Sequence, residues 1–142
     1  LKKSDCIMSS TAREIYTSTG ESIGKVIEVP ERITYKKMRY GNLINCSSVL
    51  IKKDIMSQYD MVYDDAHEDY ITWLKILKEH GDCLGINEPL LKYRLSKAGK
   101  SRNKLKSAKM HYKSLRYAGF GVFRSCIYFI AYGINGVIKH YM

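Results

Sequence analysis

The chain has no acidic residue after Glu88, although it is 142 residues long. Residues 1–90 hold 12 basic and 14 acidic side chains, a net charge of −2, whereas residues 91–142 hold 12 basic and no acidic ones, a net charge of +12. A charge excess confined to one segment is typical of surfaces that meet nucleic acid or an anionic membrane. The composition therefore predicts an anionic partner for the C-terminal segment.

Proline and cysteine are also scarce. With 2 Pro, 45% hydrophobic and 27% charged residues, the chain is neither collagen-like nor wholly disordered, and its length suits one domain. The four cysteines, Cys6, Cys46, Cys83 and Cys126, form no C-x-x-C pair, which argues against a zinc site or a small disulfide framework. Because no signal peptide opens the chain, we expect buried, inert thiols in a reducing, cytoplasmic compartment.

The sequence has no hydrophobic run long enough to cross a bilayer. Arg124 and Lys139 bracket 14 residues, fewer than the roughly 20 that a spanning helix needs. The segment 120–142 is nevertheless rich in aromatic and aliphatic residues. This pattern predicts a helix that lies in a membrane interface, with its aromatic side chains toward the lipid and its cations at the head groups.

The remaining pattern predicts a mixed α/β domain. Extended segments are expected as a hairpin within residues 6–30, as a buried strand at 48–51, and on either side of a bend at 87–89. Helices are expected for about two turns from Thr34, over 67–80, and from about Asn103 to Tyr117.

The densest polar cluster lies at the start of the clearest predicted helix. It consists of Asp60, Asp64, Asp65, His67, Glu68 and Asp69. Spacing alone leaves three interpretations open: helix capping, a divalent metal site, or a catalytic base provided by Glu68 or Asp69. The spacing matches neither an EF-hand loop nor a zincin helix.

Several short motifs follow one another in a fixed order. They are Tyr40 to Ile51, His67-Glu68-Asp69-Tyr70 with Trp73-Leu74, Ile86-Asn87-Glu88-Pro89-Leu90, Tyr93-Arg94 and Ser101-x-Asn103-Lys104. The ordered set resembles the C-terminal half of bacterial family 2 glycosyltransferases. The resemblance covers about residues 1–142 and is most specific over 40–106.

The resemblance implies an α/β fold, the C-terminal part of a GT-A domain with a Rossmann-like mixed sheet, followed by basic and amphipathic helices. Residues 1–102 would be the acceptor-side half of the catalytic domain, and 103–142 a basic helix and an aromatic membrane-interface helix. The implied activity is inverting transfer of a sugar from a nucleotide-sugar donor to a hydroxyl group, in the synthesis of a cell-surface polysaccharide or glycolipid. Asp69 would be the general base, and Glu68 would orient the site or cap the helix.

The same resemblance suggests residues that bind the donor or acceptor. They are Trp73, Tyr93, Arg94, Ser101, Asn103 and Lys104. The segment from Tyr93 to Lys104 is similar to one that folds over the donor in such enzymes, where cations can neutralise a diphosphate leaving group. A solvated basic loop is the alternative for that segment, and a core position is the alternative for Trp73.

Two features of this family are missing from the sequence, which has no Asp-x-Asp and no glycine-rich strand-to-helix turn. The resemblance implies a Mg²⁺ or Mn²⁺ ion on the donor diphosphate, held by an Asp-x-Asp outside these residues. We therefore expect no metal site in this chain and no activity from it alone. A sheet severed from its other half would have unpaired edges, so we also expect self-association to a homo-oligomer.

A basic module that binds nucleic acid or membrane without catalysis, or a purely structural module, is the alternative to an enzyme. No helix-turn-helix, zinc finger or RNA-recognition motif is evident, and the C-terminal aromatic residues concentrate where charge is sparse. This separation favours a membrane over nucleic acid. The expected partners are thus a nucleotide-sugar donor, a saccharide or lipid-linked acceptor, and the anionic inner face of the cell membrane.

Overall fold

Five strands, five α-helices and one short 3-10 helix (Cys46–Ser48) form the regular structure of the part of the chain that the computed structural model describes, residues 6–95 and 103–141. The strands are β1 (Met8–Tyr16), β2 (Ser22–Ile27), β3 (Arg32–Ile33), β4 (Val49–Ile51) and β5 (Cys83–Arg94). The helices are α1 (Tyr35–Met38), α2 (Lys53–Met56), α3 (Glu68–His80), α4 (Lys104–Tyr117) and α5 (Val122–Tyr141).

The strands form one mixed sheet in the order β2-β1-β5-β3. β1 and β5 run parallel, with Ser9 opposite Leu84 and Tyr16 opposite Arg94. On its other side, β1 pairs antiparallel with β4 near its start and with β2 near its end. The pairing of β1 with β2 confirms the predicted hairpin within residues 6–30. The mixed sheet and its packed helices confirm the α/β class and agree with part of a Rossmann-like glycosyltransferase domain.

The prediction of two short extended segments around a bend at 87–89 is wrong, because β5 is continuous from Cys83 to Arg94. The strand is nevertheless irregular where the bend was expected. Its pairing with β1 jumps from Thr11 opposite Ile86 to Arg13 opposite Leu91, so β5 advances by five residues while β1 advances by two. Pro89, which has no N–H for a ladder bond, lies inside this bulge.

Two other local predictions need correction. α1 has one turn instead of about two, because the backbone turns away at Gly41, with φ +152°, and the Asn42 side chain accepts the Ile44 N–H. The predicted buried strand near 48–51 is β4, but Leu50 is exposed, so that strand is only partly covered.

α3 lies at the centre of the hydrophobic core, and the predicted helix over 67–80 is confirmed to within one residue. It begins after the N-cap His67 and ends at His80, and the C-cap Gly81 that follows has a φ of +103°, which favours glycine. Trp73 is 2% exposed and packs in the core, which supports the core alternative and removes this side chain as an accessible platform for a sugar. The buried residues of α3 are Tyr70, Ile71, Thr72, Trp73, Leu74, Ile76 and Leu77.

α4 and α5 extend the same core. Leu115 of α4, Phe120 in the connection between the two helices, and Tyr128 of α5 belong to one hydrophobic cluster with the α3 residues. Among the α5 side chains that the structure describes, Tyr128, Phe129 and Tyr132 therefore face the protein and only Phe123 faces outward, whereas the sequence suggested that the aromatic residues face lipid. The division of the chain at residue 102 stays a prediction, as does self-association through sheet edges.

The outer face of α5 is apolar and exposed. Phe123, Ile127, Ile130 and Ile134 are spaced by four, three and four residues, which places them on one side of the helix. Within residues 6–95 and 103–141, no helix is long and apolar enough to span a membrane.

The cysteines are free but not all buried. Cys83 is buried, Cys6 is partly covered, and Cys46 and Cys126 are exposed. The expectation of buried thiols is therefore wrong for Cys46 and Cys126. Both occur in polar or helical surface segments, whose burial the sequence does not specify.

Candidate active site

A cavity of about 500 Å³ opens at the start of α3 and contains two of the predicted site residues, Asp69 and Tyr93. The segment 42–47, the paired strands β1 and β5, and helices α4 and α5 complete its walls. Its lining residues are Arg13, Asn42, Ile44, Asn45, Cys46, Ser47, His67, Asp69, Tyr70, Tyr93, Ser107, His111 and Tyr132.

Asp69 is held at this cavity by the first turn of α3 and by Asn42. The Asn42 amide nitrogen donates to the Asp69 carboxylate over 3.4 Å, and the Asn42 amide oxygen accepts the Ile44 N–H at 3.0 Å. The second bond fixes which end of the amide faces Asp69. A carboxylate on a rigid helix turn that borders an open cavity is suitably placed to accept a proton from a bound hydroxyl group.

Contacts from α4 fix the beginning of α3. The His67 N–H donates to Ser114 Oγ at 2.9 Å, and that hydroxyl donates to the Met110 carbonyl, also at 2.9 Å. His67 Nε2 lies 3.3 Å from the Ser107 carbonyl oxygen, so the ring donates there when Nε2 carries the proton. Since His67 precedes the helix turn that carries Asp69, α4 also determines where that carboxylate lies.

His111 is the most deeply buried histidine of the cavity wall. It is 2% exposed and its ring stacks between Tyr70 and Tyr132, with ring centres 5.0 and 3.8 Å away. Burial, and secondarily the nearby His67, lowers the pKa of His111 to about 4, so the ring is neutral at physiological pH. Its Nε2 is buried without a hydrogen-bond partner.

Arg13 and Tyr93 form the opposite wall, at adjacent strands of the sheet. The Arg13 guanidinium carbon lies 5.6 Å from the centre of the Tyr93 ring, within cation–π range. Burial lowers the pKa of Arg13 and the neighbouring Tyr93 opposes this, but an arginine remains charged at any ordinary pH. The cavity therefore contains one fixed cation as well as the Asp69 carboxylate.

Cys46 lies at the same cavity, where its surroundings disfavour the thiolate form. Burial of its sulfur raises the pKa of the thiol, and Asp69 and Glu68 raise it further by repelling a thiolate. The predicted burial is thus wrong at Cys46, which is exposed, and its inertness stays a prediction.

The acidic cluster divides into residues with different positions. Asp65 binds Lys113 and Tyr117 of α4, and the hydrogen bond from Lys113 is the main reason why the pKa of Asp65 is lowered. Glu68 is in the first turn of α3 but does not line the cavity, although it is close enough to affect Cys46. Of the two candidate bases, only Asp69 borders the cavity.

The other predicted binding residues are not brought together here. Arg94 ends β5, is exposed, and is not part of the cavity wall. Asn103 is the N-cap of α4, where its amide oxygen accepts the Lys106 N–H at 3.1 Å. Lys104 is the first residue of α4, and Ser101 lies outside the described residues, so neither side chain is placed.

Four residues of the cavity wall were missed by sequence reasoning: Arg13, Ser107, His111 and Tyr132. Arg13 reaches the site only because β1 pairs with β5, about which the local pattern says nothing. His111 could have been found, because it shares the buried side of α4 with Ser107, Ser114 and Leu115 at helical spacing.

The described residues do not fit a divalent metal ion. No group of three or more His, Cys, Asp or Glu side chains comes together within residues 6–95 and 103–141. The sequence also lacks an Asp-x-Asp. No step of the reaction is therefore assigned to a metal on this part of the chain.

Sequence comparison places the chain among relatives of bacterial glycosyltransferases, which confirms the resemblance seen in its motifs. A Bacillus subtilis (strain 168) protein named as a teichuronic acid biosynthesis glycosyltransferase, TuaG, is 31% identical over 137 residues, which cover 94% of this chain and 54% of that protein. No family profile matches the chain, and no solved structure matches it.

Two Escherichia coli relatives have more specific names. WfgD is 29% identical over 119 residues (83% of this chain, 46% of WfgD), and WfaP is 32% identical over 116 residues (81% and 45%). Both are named UDP-Glc:alpha-D-GlcNAc-diphosphoundecaprenol beta-1,3-glucosyltransferase. The chain spans about half the length of the curated relatives it matches, which agrees with its likeness to one part of such enzymes.

Proposed function

We propose that the chain forms the acceptor-side part of a glycosyltransferase of cell-surface polysaccharide or glycolipid synthesis, with Asp69 as its general base. The observation that carries the proposal is the Asp69 carboxylate, fixed by the first turn of α3 and by Asn42 at the edge of a cavity of about 500 Å³. The glycosyltransferase relatives support the class, and they do not favour a non-catalytic nucleic-acid module.

In the proposed reaction, a hydroxyl group of the acceptor donates a hydrogen bond to Asp69. The carboxylate takes the proton as the hydroxyl oxygen forms a bond to the anomeric carbon of the donor sugar. The bond from that carbon to the phosphate oxygen breaks, and the nucleoside diphosphate leaves with the electron pair. A single displacement of this kind inverts the anomeric configuration, and it needs the base within hydrogen-bond reach of the attacking hydroxyl.

The proposed partners follow the relatives' names and the charge distribution. A nucleotide-sugar donor and a lipid-linked saccharide acceptor are the kinds of substrate that WfgD and WfaP are named for. The donor, its Mg²⁺ or Mn²⁺ ion and the Asp-x-Asp would be supplied outside these residues, so the chain alone should be inactive. Glu68 would support the turn that positions Asp69.

We propose that the protein acts at a membrane surface. The outer face of α5 exposes Phe123 and Ile130 by 78% and 62%, and residues 91–142 carry a net charge of +12. An apolar helix face beside an excess of cations is suited to an interface with anionic lipid.

The test of the proposed function is Asp69→Asn in the full-length enzyme. Transfer of glucose from UDP-glucose to GlcNAc-diphosphoundecaprenol, the reaction for which the E. coli relatives are named, serves as the first assay. We expect kcat to fall by about 10²- to 10⁴-fold, the usual contribution of a general base, with little change in the acceptor KM. Asp64→Asn, which removes an exposed carboxylate outside the cavity, is the matched control. An Asp69→Asn enzyme with an unchanged kcat would exclude Asp69 as the base.

A further inference from the structure

A second cavity of about 530 Å³ lies between the end of α1 and the inner face of α5. It is lined by Lys37, Tyr40, Gly41, Asn42, Leu43, Tyr132, Asn135 and Gly136. Two of these residues, Asn42 and Tyr132, also line the cavity that contains Asp69. The two cavities therefore adjoin at a side chain that donates to the Asp69 carboxylate.

The lining of the second cavity is chemically mixed. Lys37 supplies a cation, Tyr40 and Leu43 supply apolar surface, and the Asn42 and Asn135 amides supply hydrogen-bonding groups. A free monosaccharide carries no negative charge to pair with the cation, and a simple lipid chain has no group to hydrogen-bond with the amides. The combination suits an amphiphile that carries an anionic group between a polar head and an apolar tail.

The position of this cavity on α5 connects it to the apolar outer face. Tyr132 and Gly136 are on the side of α5 that faces the protein, and Ile130 and Ile134 are about half a helical turn away from them. Only α5 therefore separates the cavity from lipid that contacts the outer face, and an amphiphile anchored in that lipid could reach the cavity around this one helix. Its polar end would then lie toward Asn42 and Asp69.

We propose that the second cavity binds the diphosphate and the adjoining apolar chain of a lipid-linked acceptor, and so places the acceptor sugar at Asp69. The inference rests on the proposed function, which it extends from the chemistry of the hydroxyl group to the part of the acceptor that the enzyme holds. Lys37 would face the diphosphate, and Tyr40, Leu43 and Tyr132 would contact the first carbon units of the chain.

Two glycines of α5 allow a matched test. A Cβ atom at either Gly133 or Gly136 would meet nothing within 4 Å, so both positions accept a side chain without a clash. Only Gly136 lines the second cavity. Gly136→Leu should therefore fill the cavity, Gly133→Leu should not, and both should keep or raise the thermal unfolding temperature because leucine favours a helix more than glycine does.

Binding is measured with the 142-residue chain on phosphatidylglycerol nanodiscs, with and without GlcNAc-diphosphoundecaprenol. We expect the wild-type chain and Gly133→Leu to bind the loaded discs at least about tenfold more tightly than the empty ones, and Gly136→Leu to lose this difference. A folded Gly136→Leu chain that keeps the difference would overturn the inference. So would a wild-type chain that does not distinguish the two kinds of disc.

The cation is tested separately. Lys37→Gln should reduce the preference for loaded discs, whereas Lys36→Gln, which removes a neighbouring charge outside the cavity, should not. An equal loss in both variants would show a general attraction to anionic discs and would contradict the assignment. Asp69→Asn should lose transfer in the full-length enzyme, but in the 142-residue chain it should keep the preference for loaded discs, so the base and the binding cavity can fail independently.

Discussion

Acid should destabilise this protein through His111. The folded protein keeps the ring neutral down to a pKa of about 4, while the same side chain in an unfolded chain has its ordinary value of 6.5. Between these two values the unfolded state binds a proton that the folded state does not. Stability contributed by the neutral ring is therefore fully present above pH 6.5 and falls as the pH is lowered toward 4.

The magnitude follows from the two pKa values. The gap from 6.5 to about 4 corresponds to about 3 kcal/mol when fully expressed, of which about 2 kcal/mol is lost between about pH 7.5 and pH 5. The environment explains why the folded state does not simply take up the proton. Tyr70 and Tyr132 cover both faces of the ring, Nε2 has no partner to share a charge with, and the neighbouring His67 would repel one.

The assay is urea unfolding at the two pH values, followed by circular dichroism and by fluorescence of Trp73, the only tryptophan. His111→Phe keeps a flat ring in the stack and removes the titrating group, so it should reduce the loss of unfolding free energy by about 2 kcal/mol relative to the wild type. His80→Phe, at the other end of α3, is the matched control and should keep the His111-dependent slope. If the wild type and His111→Phe lose the same unfolding free energy between the two pH values, His111 is not the group responsible.

Three further predictions concern stability and the membrane surface. Gly85→Ala should destabilise the fold by about 3 kcal/mol in urea unfolding, because its Cβ would lie 1.9 Å from the Pro30 carbonyl oxygen, while Gly133→Ala should not; equal effects would contradict this. Ser114→Ala should cost about 1 kcal/mol by leaving the partly buried His67 N–H without its acceptor, and a neutral result would show that this bond does not hold the start of α3. Replacing Phe123 and Ile130 by Ser should weaken flotation with anionic vesicles at least about tenfold, whereas the same change at the equally exposed Val62 and Leu90 should not; equal losses would remove α5 from the contact.

Local patterns predicted the elements that depend on local chemistry. α3 has apolar residues at helical spacing and a glycine after its last turn, so its bounds could be read from the sequence. The position of Asp69 at the beginning of that helix followed directly. That Asp69 borders a cavity did not follow, since the walls come from segments far apart in the chain.

The strand pairing was beyond any local pattern. β1 and β5 pair in parallel although α1, α2 and α3 all lie between them in the sequence. This pairing alone brings Arg13 next to Tyr93. The same pairing straightens the segment around Pro89 into one strand with a bulge, where the proline and its neighbours had suggested two segments. Tertiary contacts outweighed local turn preference at that point.

The buried side of α4 shows why part of the site was missed. Its buried positions include Ser107, His111 and Ser114, polar residues that a hydrophobic pattern does not detect. Two of them hold His67, and the third closes the wall beside Tyr132. Polar residues at core positions are costly unless they serve the structure or a site, so their helical spacing indicates a site on this side of α4.

The outer face of α5 needs an explanation that the fold does not provide. The inner side of α5 already packs against the protein through Ser125, Tyr128 and Tyr132. The isoleucines on the other side therefore add nothing to the core that the described residues form. A surface helix of a soluble domain normally carries polar residues on that side, and a helix that is apolar all round is normally covered. Charge then favours one kind of cover, because the last acidic residue in the sequence is Glu88 and everything after it that is charged is cationic. An anionic lipid surface would cover the apolar face and also attract the cations, whereas a second copy of this helix would bring like charges together and repel them.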